Sequence, residues 1–364
     1  MDINRDSLSS MPSKIKTDAD RLKRLIPRLR GKHIGVLGDL MLDRYLWGTA
    51  SRLSPEAAVP VVDFVEQSEC LGGAGNVAAN LSALGARVEC FGTIGNDEPG
   101  AALRKCLRDA GIVDKGVLAD QRRVTTVKTR IIARHQQVVR VDRERREPLR
   151  PETEERLLRA LFSTLKHFDA LILADYDKGL VTDNFAERVL SACHQLRVAV
   201  FVRPKTSRLY AYRGARAIVC NAMEAGFFVT RSLGDEKSVE EAGRALLAHF
   251  GCSAVLITRG RKGMSLIEES SPRVLHIPAT GFEVTYARIG QPGIDRTAGG
   301  RQVFDVTGAG DTVLSVLALA AAAGAPLPDA AILANTAAGV AVSKLGTAIV
   351  TPEELTHALD EIHH

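Results

Sequence analysis

Cysteine is sparse in this chain and never clustered. Cys70, Cys90, Cys106, Cys193, Cys220 and Cys252 are far apart, with no Cys-x-x-Cys pair. That excludes the usual zinc-ligand spacing and points to reduced, mostly core thiols in a cytoplasmic protein. Long apolar runs are missing too. The first residues are polar and charged where a secretory signal would be apolar, and the longest apolar run, Val313–Ala323, carries Ser315 and is too short to cross a bilayer. Neither sign of charge dominates, since 48 Lys and Arg stand against 43 Asp and Glu. The basic residues are spread along the chain, so no nucleic-acid partner and no membrane partner are expected, and scattered arginines suit a phosphorylated small molecule. A glycine loop ending in Gly-Lys-Ser/Thr is absent, so any nucleotide must be held by another device. GVLGDL and GGAGN are poor matches to the dinucleotide fingerprint, which weakens an NAD-dependent oxidoreductase reading. No internal repeat or low-complexity linker is present.

What is present alternates. With 364 residues, 45% of them hydrophobic, the chain can bury a large core without disulfides. DADRLKRLIPRLRG reads as a short basic helix stopped near Pro27 and Gly31. HIGVLGD is an apolar run ending in Gly-Asp, the pattern of a buried parallel strand that delivers polar groups at its C-terminal end. EPGAALRKCLRDAGI places Leu103, Cys106, Leu107 and Ala110 on one helical face, with Gly111 as the stop. Helix ETEERLLRALFSTLKHF, strand ALILADY, a helix around Phe185–Gln195, strands VAVFVRP and AIVCN, helix SVEEAGRALLAHFG and strand AVLITRG continue the series. This succession predicts an α/β fold with a mainly parallel sheet covered on both faces. RYLWGTASRLSPEAAVPVVDFVEQ and TTVKTRIIARHQQVVRVDRE alternate apolar with polar residues and have no helical run. They predict a small β-sheet lid from about 43–66 and 120–145. Residues 1–30 then form a polar segment and short helix, and 31–360 one domain.

The stretch VFDVTGAGDTVLS crowds two glycines and two carboxylates against the start of an apolar helix. The first turn of a helix exposes N–H groups and positive potential, and glycines let an anion approach them. Gly308, Ala309 and Gly310 would thus cradle an anion, with Asp311 placed to take a proton from a hydroxyl while phosphate transfers to it. A Gly-rich turn in which Asp311 merely caps the helix fits the stretch equally well. Elsewhere, LGGAGNVAANLSALG sets Gly72 and Gly73 before a helix carrying Asn76 and Asn80, which suits sugar hydroxyls or simply tight packing. GDLMLD puts Asp39 and Asp43 at the end of the first strand, able to hold hydroxyls. NAME supplies Asn221 and Glu224 after another strand, able to hold Mg²⁺ through water.

Two of these segments, GGAGNVAANLSALGARVECFGTIGNDEPG and DVTGAGDT, resemble the two signatures of the ribokinase-like (PfkB) carbohydrate kinases, and the likeness runs from about His33 to Pro352. Within that family, GDLMLDRYLWG, RLSPEAAVPVV, ARHQQVVRVDRE, ADYDKG and ANTAAGVAVSKLGTAIVTP are similar to the heptose 7-phosphate kinases of lipopolysaccharide core biosynthesis. No His-x-Gly-His motif of an appended nucleotidyltransferase is present, so the single-function form is expected. The resemblance implies a three-layer α/β/α fold with a lid, and phosphorylation of the anomeric hydroxyl of a heptose 7-phosphate by ATP with Mg²⁺; it leaves a monovalent cation open. It implies Asp311 as base and Gly308, Ala309 and Gly310 as anion hole. Asn221 and Glu224 go with magnesium and phosphate, Thr258, Arg259, Gly260 and Gly263 with the nucleotide, and Asn335 with the adenine border. Asp43, Gly72, Gly73 and Asn76 go with the sugar, and Lys128, Arg134, Gln136 and Lys178 are the candidates for its distal phosphate. Exposed lid edges favour pairing between two chains, so a homodimer through the lid is expected.

Three features depart from the pattern. Arg203-Pro204-Lys205 stands where the heptose kinases usually read Asp-Pro-Lys, which reverses a charge near the phosphates. NAME replaces the more usual Asn-Leu-x-Glu. Residues 279–300 look like an insertion, long for a structureless connection, and would be a flap, an extra hairpin or a disordered loop. Two rival readings follow: a kinase for another sugar phosphate, and a non-catalytic sugar-phosphate binder supported by Arg203 alone.

Overall fold

The computed structural model describes residues 19–133, 136–207, 211–279, 306–344 and 346–361; the 279–300 insertion lies outside them apart from its first residue. The elements run α1 (Ala19–Leu29), β1 (His33–Gly38), β2 (Leu40–Leu53), β3 (Pro60–Gly73), α2 (Ala74–Ala83), β4 (Arg87–Gly95), α3 (Glu98–Asp109), β5 (Val113–Asp120), β6 (Thr126–Ala133), β7 (Gln136–Arg143) and α4 (Pro151–Thr164). They continue with β8 (Ala170–Ala174), α5 (Asp183–Leu196), β9 (Ala199–Arg203), β10 (Ala217–Asn221), α6 (Ala222–Phe228), α7 (Glu236–Phe250) and β11 (Ala254–Thr258). Last come β12 (Met264–Glu268), β13 (Leu275–Ile277), α8 (Ala309–Ala322), α9 (Leu327–Val342) and α10 (Pro352–Glu361). α1 ends at Leu29, between Pro27 and Gly31 as expected, with Pro27 inside its last turn. Near the end of a helix the missing N–H of Pro27 forfeits a single bond, burying Leu29 carries the helix past it, and Gly31 follows with φ 77°.

One sheet among the described residues has the order β13-β12-β11-β10-β9-β8-β1-β4-β5. Pairing is parallel from β11 through β5, and β12 and β13 add an antiparallel edge. β1 shows why the strands read as continuous apolar runs. Ile34 and Val36 enter one core with α1, α2, α8, α9 and α10, whereas Leu37 enters a second core with α4, α5 and α7. Both faces are therefore covered, and a strand buried on both sides has no polar phase. α8 is buried without interruption from Asp311 to Ala320, as an all-round apolar helix must be. Each fully buried leucine on it, such as Leu314 or Leu317, contributes about 2 kcal/mol. The three layers are helices, sheet and helices.

The second sheet has the order β3-β2-β6-β7, with β2 antiparallel to β3, parallel to β6, and β6 antiparallel to β7. The alternation read along these segments comes from a sheet with little cover: β7 is exposed throughout, as is β3 from Asp63 to Ser68. β3 returns to the main body through Gly72 and Gly73. Gly73 has φ 57°, and a Cβ on it would lie 2.6 Å from Met41 Cε and 2.7 Å from the Asp39 carbonyl oxygen.

The close approach at Gly73 separates two kinds of cost. Gly214 has a similar φ of 79° but open space around it, so Gly214→Ala should lose about 1–2 kcal/mol from backbone strain alone. Gly73→Ala should lose clearly more in the same urea titration, because β2 must shift as well. Equal losses would show that the contact costs nothing.

Candidate active site

α8 packs against α2, α9 and the strands β8, β9 and β10, so its first turn arrives at the C-terminal ends of central strands. Gly308 precedes the helix in the left-handed region, with φ 82°. A Cβ there would meet Asn76 Nδ2 at 2.7 Å, so glycine lets the α2 amide lie against the turn. Asp311 donates its N–H to the Gly308 carbonyl at 2.9 Å. Its carboxylate is buried but surrounded by donors. Tyr176 OH donates to Oδ1 at 2.6 Å, Arg203 Nη1 donates to the same oxygen at 2.7 Å, and Asn76 Nδ2 donates to Oδ2 at 2.9 Å. Asn80 Nδ2 donates to the Asn76 carbonyl at 3.0 Å and to its Oδ1 at 3.2 Å, while Thr312 Oγ1 donates to Asn80 Oδ1 at 3.2 Å. That chain of bonds fixes which way the Asn76 amide faces.

Arg203 ends β9 and lies across the first turn of α8: a Cβ on Gly310 would be 2.5 Å from its Nη1. Its Cζ is 5.4 Å from the centroid of the Tyr176 ring, and Lys205 Nζ is 6.0 Å from the same centroid. Burial disfavours the guanidinium charge, but Tyr176 and Asp311 more than restore it, and its pKa is raised. Burial, reinforced by the Asp311 carboxylate, drives the Tyr176 phenol well above its ordinary value, so Tyr176 remains a donor. Arg203 Nε is buried and has no hydrogen-bond acceptor among the described residues. Lys205 Nζ donates to Glu224 Oε1 at 3.4 Å.

A second polar centre lies where the two sheets meet. Asp43 of β2 is buried and accepts from Arg130 Nη1 of β6 at 2.9 Å. Burial raises the Asp43 pKa, with Arg130 opposing it. Gly72 faces this carboxylate, since a Cβ on it would stand 2.9 Å from Asp43 Cγ. Lys128 pairs with Asp142 at 3.2 Å and Glu144 at 4.0 Å, and Lys178 pairs with Glu144 at 2.7 Å.

A model of the pfkB family carbohydrate kinases matches residues 32–354. The chain belongs to that family. It is 42% identical over 342 residues to the bifunctional protein HldE of Geotalea uraniireducens, covering 94% of this chain and 66% of that one. It is 42% identical over 328 residues to HldE of Geobacter sulfurreducens, covering 90% and 63%. This pfkB chain thus spans just under two thirds of the length of the curated relatives it matches. Among solved structures, Arabidopsis thaliana ribokinase complexed with ribose and ATP superposes with TM-score 0.66 at 17% identity, covering 91% and 99%. Escherichia coli phosphofructokinase-2 with substrates and products gives 0.69 at 15%, covering 92% and 100%. These place the fold in the ribokinase-like class.

Within the pfkB chain, the residues read from sequence fall into three groups. Asp311, Gly308, Ala309, Gly310 and Asn76 come together at the tip of α8, and Asp43 of β2 faces Gly72, next to Gly73, at the return of β3. Others are engaged in holding the fold. Asp39 accepts backbone N–H groups from Tyr176 at 2.8 Å, Lys178 at 3.2 Å and Leu180 at 3.4 Å, so it shapes the 176–180 loop. Asn221 and Glu224 form a capping box on α6, with Asn221 Oδ1 accepting from the Glu224 N–H and Glu224 Oε2 from the Asn221 N–H. Asn335 donates to the Pro278 carbonyl at 2.9 Å. Thr258 ends β11, and Arg259, Gly260 and Gly263 make the turn to β12, with Arg259 paired to Glu236. Gln136 lies exposed on β7, and Arg134 is outside the described residues. Sequence reasoning missed Arg130 and Tyr176. Arg130 shares the period-2 phase of Lys128 on β6, a signal that was there to be read, whereas nothing local marks Tyr176.

The fit to the ligands follows from the donor set. The buried, acceptor-less Nε of Arg203 beside a helix N-terminus suits a phosphoryl group. No cluster of three or more His, Cys, Asp or Glu that could hold a metal occurs among the described residues. Glu224 alone offers a carboxylate next to Lys205. That suits Mg²⁺ carried mainly by phosphate oxygens and water, the mode this ion prefers.

Asp39 yields a pH test. Burial first, then Asp175, raises its pKa from 3.8 to about 6. The folded state therefore holds a proton that the unfolded chain has released. This contribution to stability is full below about pH 4 and is lost as pH rises through about 6. Asp39→Asn cannot ionise, so relative to wild type it should fare better at pH 7 than at pH 4 by up to about 3 kcal/mol. A difference independent of pH in chemical denaturation would contradict this.

Proposed function

We propose that this chain transfers the terminal phosphoryl group of ATP to the anomeric hydroxyl of D-glycero-β-D-manno-heptose 7-phosphate, giving the 1,7-bisphosphate and ADP, in the route to ADP-heptose for lipopolysaccharide. The observation that carries the reading is the Asp311 carboxylate at the tip of α8 beside the Gly308–Gly310 turn, with Arg203 and Lys205 adjacent. Family membership and the likeness to the HldE proteins support it, and the heptose follows from the motif resemblance. Asp311 accepts the hydroxyl proton as the new O–P bond forms and the bond to the β-phosphate oxygen breaks. The first-turn amides of α8 take up charge on the transferred group. Mg²⁺, held through water at Glu224, would neutralise phosphate charge. The second sheet closes over the sugar and excludes water.

One observation favours a second reading, a phosphosugar-binding chain without turnover: Arg203 sits on the carboxylate that must accept the proton. ADP release with phosphorylated heptoses, fructose and ribose, with and without magnesium, decides between the two and also tests for another sugar phosphate. Asp311→Asn should cut kcat by about 10²–10⁴-fold; near-normal turnover in that variant would reject the base.

A homodimer through the second sheet is part of the proposal. Beyond the main body β3 exposes Phe64 at 64% and Val65 at 66%, neighbours on opposite faces, and Leu53 of β2 is exposed at 67%. Such apolar surface on an open strand edge suits a partner copy. Phe64→Glu combined with Val65→Glu should yield monomers by sedimentation with an unchanged fold, and a monomeric wild type would refute the dimer. A cytoplasmic location fits the six free thiols, and no helix of the described residues is long and apolar enough to cross a membrane.

A further inference from the structure

The tip of α8 holds two cationic features facing one carboxylate. The helix end presents N–H groups and positive potential, and the Arg203 guanidinium lies across it, 2.7 Å from Asp311 Oδ1. In this arrangement Asp311 is crowded by donors. Oδ1 already receives Tyr176 OH and Arg203 Nη1, and Oδ2 receives Asn76 Nδ2. Three of the carboxylate's four lone-pair sites are thus taken, and the one left open is on Oδ2. Tyr176 is fixed by the loop that Asp39 organises, and Asn76 is fixed by Asn80 and Thr312. Arg203 is the donor without such an anchor. Its Nε has no acceptor among the described residues, and its guanidinium lies between the Tyr176 ring and the backbone of Gly310 at the helix tip.

A phosphoryl oxygen is a better partner for this side chain than a carboxylate already shared by three donors. It carries more charge and accepts the planar fork of a guanidinium in two bonds. We propose that Arg203 binds the terminal phosphate of the nucleotide and gives up its bond to Asp311 as it does so, so that the carboxylate is released from its ion pair once the phosphoryl group has arrived. This rests on the kinase reading for the identity of the ligand. It assigns to the reversed charge at position 203 a positive role in phosphate recognition, in place of a handicap.

Calorimetry with β,γ-imido-ATP and with ADP tests this without turnover. Wild type should prefer the triphosphate analogue. Arg203→Gln should weaken binding of that analogue by about 10–100-fold while leaving ADP affinity within about twofold, the range for charge-assisted bonds to one phosphate. Asp311→Asn, which removes the competing charge, should tighten the analogue severalfold and leave ADP unchanged. This second variant decides the matter if Arg203→Gln proves too unstable to titrate. Unaltered discrimination between the two nucleotides in Arg203→Gln, or weaker analogue binding in Asp311→Asn, would overturn the exchange. Failure of every phosphosugar to turn over would remove the proposed reaction while these binding results still stand or fall separately.

Discussion

A carboxylate and a guanidinium share the tip of one buried helix, and the site is organised around their contact. Burying either charge alone would cost several kcal/mol, and breaking such a pair by removing one partner typically costs about 3–5 kcal/mol. Asp311 has a further source of support in the positive end of α8. Two cationic features therefore compete for one anion, which leaves the locale with cationic capacity in excess of what Asp311 uses. The unsatisfied Nε of Arg203 is the visible sign of that excess.

The fold brings these groups together from distant parts of the chain by one device. Parallel strands end on the same edge of the sheet, so β8 delivers Tyr176, β9 delivers Arg203 and β10 delivers Asn221 to neighbouring positions. Cross-links then fix the heights of the helices on that edge. Ser315 Oγ donates to the Val77 carbonyl at 3.0 Å, which ties α8 to α2, and Asp39 gathers the loop that carries Tyr176. A polar residue deep in the structure thus sets where a reactive one sits.

Much of this was legible in the sequence, and the limits have physical reasons. The apolar runs ending in Gly-Asp or Asn, the glycine turn before α8 and the alternating segments of the second sheet all carry local periodicity, which maps directly onto strands, helix starts and half-exposed sheet. The pairing of Arg203 with Asp311 spans more than a hundred positions, and no local pattern encodes it; only the charge reversal at position 203 hinted that something differed there. Asp39 marks one limit, because a carboxylate after a strand looks the same whether it accepts ligand hydroxyls or backbone N–H groups. Asn221 and Glu224 show the opposite case. Their spacing is that of a capping box, so the local reading was sufficient for the side-chain bonds they make.

The basic residues of the site share a further property. Arg203 is held by Asp311, Arg130 by Asp43, Lys205 by Glu224, and Lys128 and Lys178 converge on Glu144. Each of these five cations is thus paired with an acid of the protein itself. Without those acids, the cations would repel one another and pay for burial with no counter-charge. With them, an entering phosphate gains only the difference between its own attraction and that of the carboxylate it displaces, so affinity follows from the exchange and not from the number of positive charges. On the proposed reading, the carboxylate displaced at position 311 is the one that does chemistry. There the exchange has a consequence that it lacks at Glu144 or Glu224: the same event that neutralises the phosphate releases the base from its ion pair.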